Sequence, residues 1–348
     1  MSERRDARFL QAARRQRTDA TPVWFMRQAG RSLPEYRRVR ERASLADIVG
    51  DAALCAEVSL QPVRRLGVDA AIVFADITTP LPGAGVAVEL VESVGPVVAQ
   101  PIRSAADVER LRPLDPAASV GPLLEAISIL RRESPVPVIG FAGAPFTLAA
   151  YLIEGRSPRD LERTKVLMHA APATFAALLA RLVDLDLAYL GAQVAAGAEA
   201  VQLFDSWVGQ LSPYDYRAHV QPHVRRLFDG LAERAVPTIH FGTGTAGLLG
   251  AMAEAGGDVI GLDWRIGLAD GWSRVPDRAV QGNLDPTLLL GPFDAVAGQA
   301  REILDDAAGR PGHIFNLGHG VLPETDPDAL RRLVDLVHER TAGAGTSP

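Results

Sequence analysis

VPTIHFGTGTAGLLGAMAEAGGDVIGLDW, residues 236–264, sets two short apolar, β-branched runs on either side of a glycine-rich turn and an alanine- and leucine-rich helical stretch. Such runs, separated by helical patterns, mark βα units around a parallel sheet. Within the turn, Gly242, Gly244 and Gly247 have the spacing of a dinucleotide-binding fingerprint, and the strand and helix context matches it. An open doubly wound sheet and a closed barrel therefore compete on this stretch.

The rest of the chain decides between them. Six further runs read as strands: TPVWFM from Thr21, DAAIVFAD from Asp69, VPVIGFAG from Val136, AEAVQLFDS from Ala198, AVQGNLD from Ala279 and HIFNLGHG from His313. Helical patterns fill residues 45–65, 121–132, 159–192, 213–234 and 286–306 between them. Eight parallel strands alternating with helices fit a single-domain (β/α)8 TIM barrel over residues 1–341 better than an open sheet. The glycine match then falls at the fifth strand of a continuous series, where chance explains it in a chain with 32 glycines; the loop is better read as one that meets a substrate carboxylate. Residues 80–102 alternate apolar with small or polar residues and form a hairpin excursion, and residues 342–348, AGAGTSP, a disordered tail.

Composition removes other classes of function. The net charge of −6 gives no basic excess for nucleic acid, and no apolar stretch approaches the roughly 20 residues that cross a bilayer. The opening MSERRDARFLQAARRQ is arginine-rich, but Glu3 and Asp6 speak against a transit peptide, and a surface helix in a cytoplasmic protein is expected. Cys55 is the only cysteine, which excludes an intrachain disulfide and any multi-cysteine metal site. Lys165 is the only lysine, so a Schiff base would have to form there, in the middle of a helix. His219 and His223 have the i, i+4 spacing of zinc ligands, but Val220 stands where the metalloprotease pattern needs Glu and Pro222 disturbs the turn; no metal is expected at this pair.

Barrel active sites are built where strands end, and polar residues gather there. Arg27 follows the first run, Asp76 closes the second, Asp205 and Ser206 the fourth, His240 the fifth, Asp263 the sixth, Asn283 and Asp285 the seventh, Asn316 and His319 the eighth. Arg27 and Arg31, four apart in VWFMRQAGRSLPEYRRVR, would share one side of a helical turn and offer two forks to carboxylates. Asp76 would put a carboxylate at the rim of a dry pocket, and IGFAGAPFTLAAYLIEG, residues 139–155, combines glycines that admit a bulky ligand with an apolar helix holding Tyr151.

PVWFMRQAGRSLPEYR and GFAGAPFTLAAYLIEG resemble the two signatures of the uroporphyrinogen decarboxylases, and the resemblance continues through LQPVRRLGVDAAIVFADI, VQLFDSWVGQLSP, QGNLDP and NLGHGVLPETDP, over roughly residues 20–340. It implies a distorted (β/α)8 barrel, commonly a homodimer with facing clefts. The implied activity is removal of the four acetate carboxyl groups of uroporphyrinogen III to give coproporphyrinogen III, without metal or organic cofactor. By the same resemblance Arg27 and Arg31 bind substrate carboxylates, Arg27 is also a candidate proton donor, and Asp76 binds the central pyrrole N–H groups. Tyr151, Ser206 and His319 orient acetate or propionate groups. The alternative is a corrinoid-linked methyltransferase of the same superfold, which resembles the chain at VPTIHF but needs a His-x-Cys pattern and a later Cys for zinc; here Phe241 and Gly242 follow His240.

Overall fold

The chain is described by a computed structural model over residues 7–91, 95–157 and 160–343. Strand β1 (Ala71–Ile72) is followed by an antiparallel hairpin, β2 (Val88–Val91) and β3 (Gly95–Val98). Then come β4 (Val138–Gly143), β5 (Ala200–Asp205), β6 (Thr238–Gly242), β7 (Val259–Gly261), β8 (Ala279–Gln281) and β9 (His313–Ile314). β1 and β4 to β9 pair in that order, all parallel, in one curled sheet of seven strands with helices between them. Their residues are buried almost throughout, as expected of parallel strands covered on both faces.

The first apolar run is not a regular strand. Val23 makes a parallel bridge to Phe315, with Phe315 N–H donating to Pro22 O and Trp24 N–H to Phe315 O. On its other side Asp69 N–H donates to Val23 O at 2.7 Å. Residues 22–24 thus span the gap between β9 and the entry to β1, which corrects eight regular strands to seven and a bridging segment. Pro22 has no N–H to extend the ladder, and the backbone turns off a few residues later. Inside, Trp24 Nε1–H donates to Gln281 Oε1 at 2.9 Å and Gln281 Nε2–H to Gln202 Oε1 at 3.1 Å, a hydrogen-bonded chain linking this segment through β8 to β5.

Several long helical patterns are broken by their own residues. Residues 45–65 divide into Leu45–Gly50 and Ala52–Leu66, with Asp51 accepting from Leu54 N–H as the second helix's cap. The pattern at 159–192 becomes Glu162–Ala170 and Pro172–Ala196; its expected start at Arg159 lies outside the described residues. The N-terminal helix Arg8–Ala13 buries Phe9, Leu10, Ala12 and Ala13 against β8 and β9 instead of lying free on the surface; residues 1–6 and the tail residues 344–348 lie outside the described residues. Among the described residues no single helix is long and apolar enough to cross a membrane.

Candidate active site

Arg27 and Arg31 do not sit in a helical turn. Both adopt the left-handed backbone, with φ of +60° and +43°, which costs a non-glycine residue about 1–3 kcal/mol and survives only where neighbours over-determine it. Here they do. Asn316 Oδ1 accepts from Met26 N–H at 3.1 Å, and Val321 N–H donates to Met26 O at 2.9 Å. The buried Gln28 side chain accepts from Phe25 N–H and donates to Ala70 O, at 2.9 and 2.8 Å. The Arg27 side chain then passes so close to Gly320 that a Cβ there would lie 2.5 Å from its Cδ.

Among the described residues no carboxylate forms an ion pair with either guanidinium, and the charge of Arg27 acts on Arg31. Arg27 is exposed to solvent yet surrounded by protein over much of its length, and that burial lowers its pKa against the opposing pull of Asp76 and Tyr151. Arg31 is pushed down to about 10, by burial first and then by Arg27, with Tyr36 and Glu324 opposing. An anion entering between them relieves both effects.

Asp76 lies across from Arg27, past the end of β1. Its Oδ1 accepts from Thr78 N–H at 2.9 Å and from Thr78 Oγ1–H at 2.5 Å, leaving Oδ2 clear of both. Tyr151, on the helix Pro145–Glu154, meets Trp207 edge to face at 6.2 Å between ring centres, and Trp207 N–H donates to Thr147 Oγ1 one turn before Tyr151. Ser206, half-buried, directly precedes Trp207, and its carbonyl accepts from Thr243 Oγ1 at 2.5 Å. His319 lies edge-on to Trp264 at 6.4 Å and is pushed down to about 4, by burial and then by Arg27, Arg31 and Arg265, with Asp263 opposing. It is therefore neutral near pH 7.

Arg27 thus lies within electrostatic reach of Arg31, Asp76, Tyr151 and His319, and Ser206 stands on the loop that carries Trp207, the ring partner of Tyr151. Other strand-end residues serve the scaffold. Asp205 accepts from Thr147 Oγ1 at 2.9 Å; Asn283 donates to Asp263 O and Ile266 O; Asp285 caps the turn Pro286–Leu290; His240 is fully buried against Phe228. Sequence reasoning named Asp263 as a strand-end residue but missed Trp207, Gly320 and the two partners of Asp263, Trp264 and Arg265; Arg265 stacks 3.9 Å above the Trp264 ring and pairs with the buried Asp263 at 2.6 Å. All of these stand within the SWVG, GLDWRIG and NLGHGV stretches that follow strands.

The glycines act differently from expectation. Gly140 and Gly143 make room for Gln193 and for Leu148 with Ile77, so they seat helices on the sheet rather than admit a ligand. In the GTGTAG turn the Gly244 N–H is taken by the Asp263 carboxylate, and Gly209 packs against the backbone of Thr243 and Gly244; the turn locks two loops together. Cys55 is buried, donates to Phe74 O and is pushed up to about 12 by burial, so it supplies no thiolate. A concavity of about 590 Å³ between Arg8, Asp19, Asp69 and Pro137 lies at the opposite, N-terminal end of the strands, away from these groups.

Residues 4–340 match the family described as uroporphyrinogen decarboxylase (URO-D). A uroporphyrinogen decarboxylase of Streptomyces griseus is 55% identical over 339 residues, covering 97% of this chain and 93% of its own. One of Mycobacterium tuberculosis is 52% identical over 356 residues, covering 97% and 99%. Among solved structures, a methyltransferase from Methanosarcina mazei superposes with a TM-score of 0.75 at 21% identity over 96% of this chain and 98% of that one. A B12-independent methionine synthase from Shewanella does so with a TM-score of 0.58 at 13% identity over 87% and 89%. The structural likenesses speak to the fold alone.

Proposed function

The chain belongs to the uroporphyrinogen decarboxylase family and is a carboxy-lyase, and from that premise we propose that the cleft of Arg27, Arg31 and Asp76 removes the four acetate carboxyl groups of uroporphyrinogen III to give coproporphyrinogen III. The observation that carries the assignment of the site is the pair of arginines held in left-handed backbone, neither in an ion pair among the described residues, with Asp76 within electrostatic reach of Arg27. They suit a substrate that brings its own carboxylates, which a planar guanidinium binds in a fork.

Loss of carbon dioxide from a pyrrole acetate leaves electrons that need a sink. Protonation of the adjacent ring carbon makes the ring cationic; the C–C bond to the carboxylate then breaks and its electron pair flows into the ring. A proton adds to the exocyclic carbon to form the methyl group, and the ring carbon returns its proton. Each round releases one carbon dioxide and takes up one proton. Asp76 accepts from the pyrrole N–H groups and stabilises the cation most where charge is greatest, in the transition state. Arg27 and Arg31 hold carboxylates, with Arg27 the proton donor proposed. Tyr151, Ser206 and neutral His319 orient the acetate and propionate arms. The chemistry draws on the chain's own groups and needs no cofactor; the protein works in the cytoplasm as a homodimer with facing clefts.

A methyltransferase activity like that named for the Methanosarcina protein would need the zinc thiolates that resemblance implies, and this chain's one cysteine is sealed under Phe74 O. The test is incubation with anaerobically reduced uroporphyrin III after exhaustive chelator dialysis, followed by chromatographic counting of carboxylates. The expected product carries four fewer; unchanged octacarboxylate, or activity restored only by added zinc, refutes the proposal.

A further inference from the structure

Away from the cleft, the fold brings together three metal-ligating side chains that are distant in sequence. His169 lies at the end of the helix Glu162–Ala170, Asp215 closes the short helix Pro213–Asp215, and His219 lies in a single π-helical turn, Tyr216–Val220. One ligand atom from each lies within 4.8 Å of the other two. His169 Nε2 is 3.6 Å from Asp215 Oδ1, and the two imidazoles stand at 89° with 5.7 Å between centres. His223, the i, i+4 partner of His219 in sequence, is not in the group; the π turn and Pro222 lie between them. Such π turns recur where a helix has been re-aimed for function.

We infer that His169, Asp215 and His219 form a site for a divalent cation of the zinc class, on the outer rim of the barrel. Two imidazoles and a carboxylate suit zinc better than magnesium or calcium, and three protein ligands leave a fourth position for water. Metal–ligand bonds of about 2.0–2.1 Å in a tetrahedron set donors about 3.3–3.5 Å apart. The His169–Asp215 pair already has nearly that spacing. His169 is half-exposed, so its ring has room to rotate as the ion draws the three donors together. Ser212 Oγ–H donates to Asp215 Oδ2 at 2.8 Å, orienting the carboxylate and leaving Oδ1 for the ion, as outer-shell partners do in metal sites. A bound ion joins the helix that follows Tyr151's helix to the turn that follows Ser206 and Trp207. It therefore fastens two segments that follow the site-bearing elements without touching the reacting atoms.

The test is titration of the untagged, chelator-stripped full chain with zinc sulfate by calorimetry, with thermal melts in parallel. One saturable equivalent and a melting temperature that rises with zinc are expected. His169→Ala and His219→Ala each weaken binding at least tenfold, Ser212→Ala weakens it by about 10- to 100-fold, and His223→Ala leaves it unchanged. Cobalt substituted for zinc gives visible absorption that the two His→Ala variants lose. Should His219→Ala melt abnormally in chelator, His169→Ala on its exposed helix end carries the test. Absence of saturable zinc binding, or binding that survives His169→Ala at wild-type strength, overturns the inference.

Discussion

Gly320→Ala is a one-methyl perturbation aimed at Arg27. The added Cβ would lie 2.5 Å from Arg27 Cδ, 2.7 Å from its Cγ and 3.1 Å from its Cβ, whereas carbon atoms settle about 3.5–4.0 Å apart. Relief requires a displacement of about 1 Å. The Met26 backbone is pinned by Asn316 and Val321 and the Gln28 side chain by Ala70, so the Arg27 side chain must move. A misplacement of about 1 Å in a positioned group costs about 100-fold in rate, equivalent to about 2.7 kcal/mol of transition-state stabilisation. Stability should change little. Gly320 has no left-handed φ to lose, and Arg27 can swing into the open cleft, so overpacking stays near the low end of about 1–3 kcal/mol. The assay is steady-state turnover of uroporphyrinogen III with melts alongside, and Gly250→Ala, with nothing within 4 Å of its new Cβ, as the neutral control. A folded Gly320→Ala variant with kcat/KM within about threefold of wild type, against the 100-fold expected, refutes the claim that catalysis depends on where Gly320 lets Arg27 lie.

Arg31→Lys exchanges a fork for a point charge and should lower kcat/KM by about tenfold, the worth of one charge-assisted hydrogen bond; partly decarboxylated products should accumulate, and wild-type kinetics at all four steps would contradict the role. Asp186, on the helix Pro172–Ala196, is fully buried with neither oxygen hydrogen-bonded among the described residues, and burial, then Asp205, raises its pKa well above the usual carboxylate value. Its raised folded-state pKa means that its contribution is complete below the unfolded-state value and is lost as pH rises toward the folded-state one, at no more than about 1.4 kcal/mol per pH unit. The melting advantage of Asp186→Asn over wild type should therefore grow from pH 5 to pH 8; parallel curves would show that Asp186 is not held protonated.

The strand runs were legible because a buried parallel strand is a continuous apolar run; six of the seven regular strands fall inside the runs read from sequence, and β6 extends one residue past its run to Gly242. Asp76 and Arg27 were legible as polar residues placed where such runs stop. The backbone around the arginines was not. Spacing of four suggested a helical turn, but both arginines are left-handed, and the backbone beside Arg27 is held through Met26 and Gln28 by Asn316, Val321 and Ala70, which are remote in sequence. The same limit explains the glycines: Gly143 and Gly209 answer to packing partners that no local pattern names. It also explains the His169–Asp215–His219 group, whose members stand too far apart in sequence for any local spacing to name them together.

The most direct test of the central claim is anaerobic turnover of uroporphyrinogen III by Asp76→Asn beside wild type, with products counted by carboxyl number and folding checked by melts. The substitution keeps the shape and an acceptor for Thr78 while removing the charge that stabilises the protonated pyrrole. Wild type should yield the tetracarboxylate. Asp76→Asn should bind substrate nearly as well but turn over about 100- to 1,000-fold more slowly, the typical cost of one well-placed electrostatic partner. A folded Asp76→Asn protein retaining more than about a tenth of wild-type turnover, against that expected loss, would contradict the account.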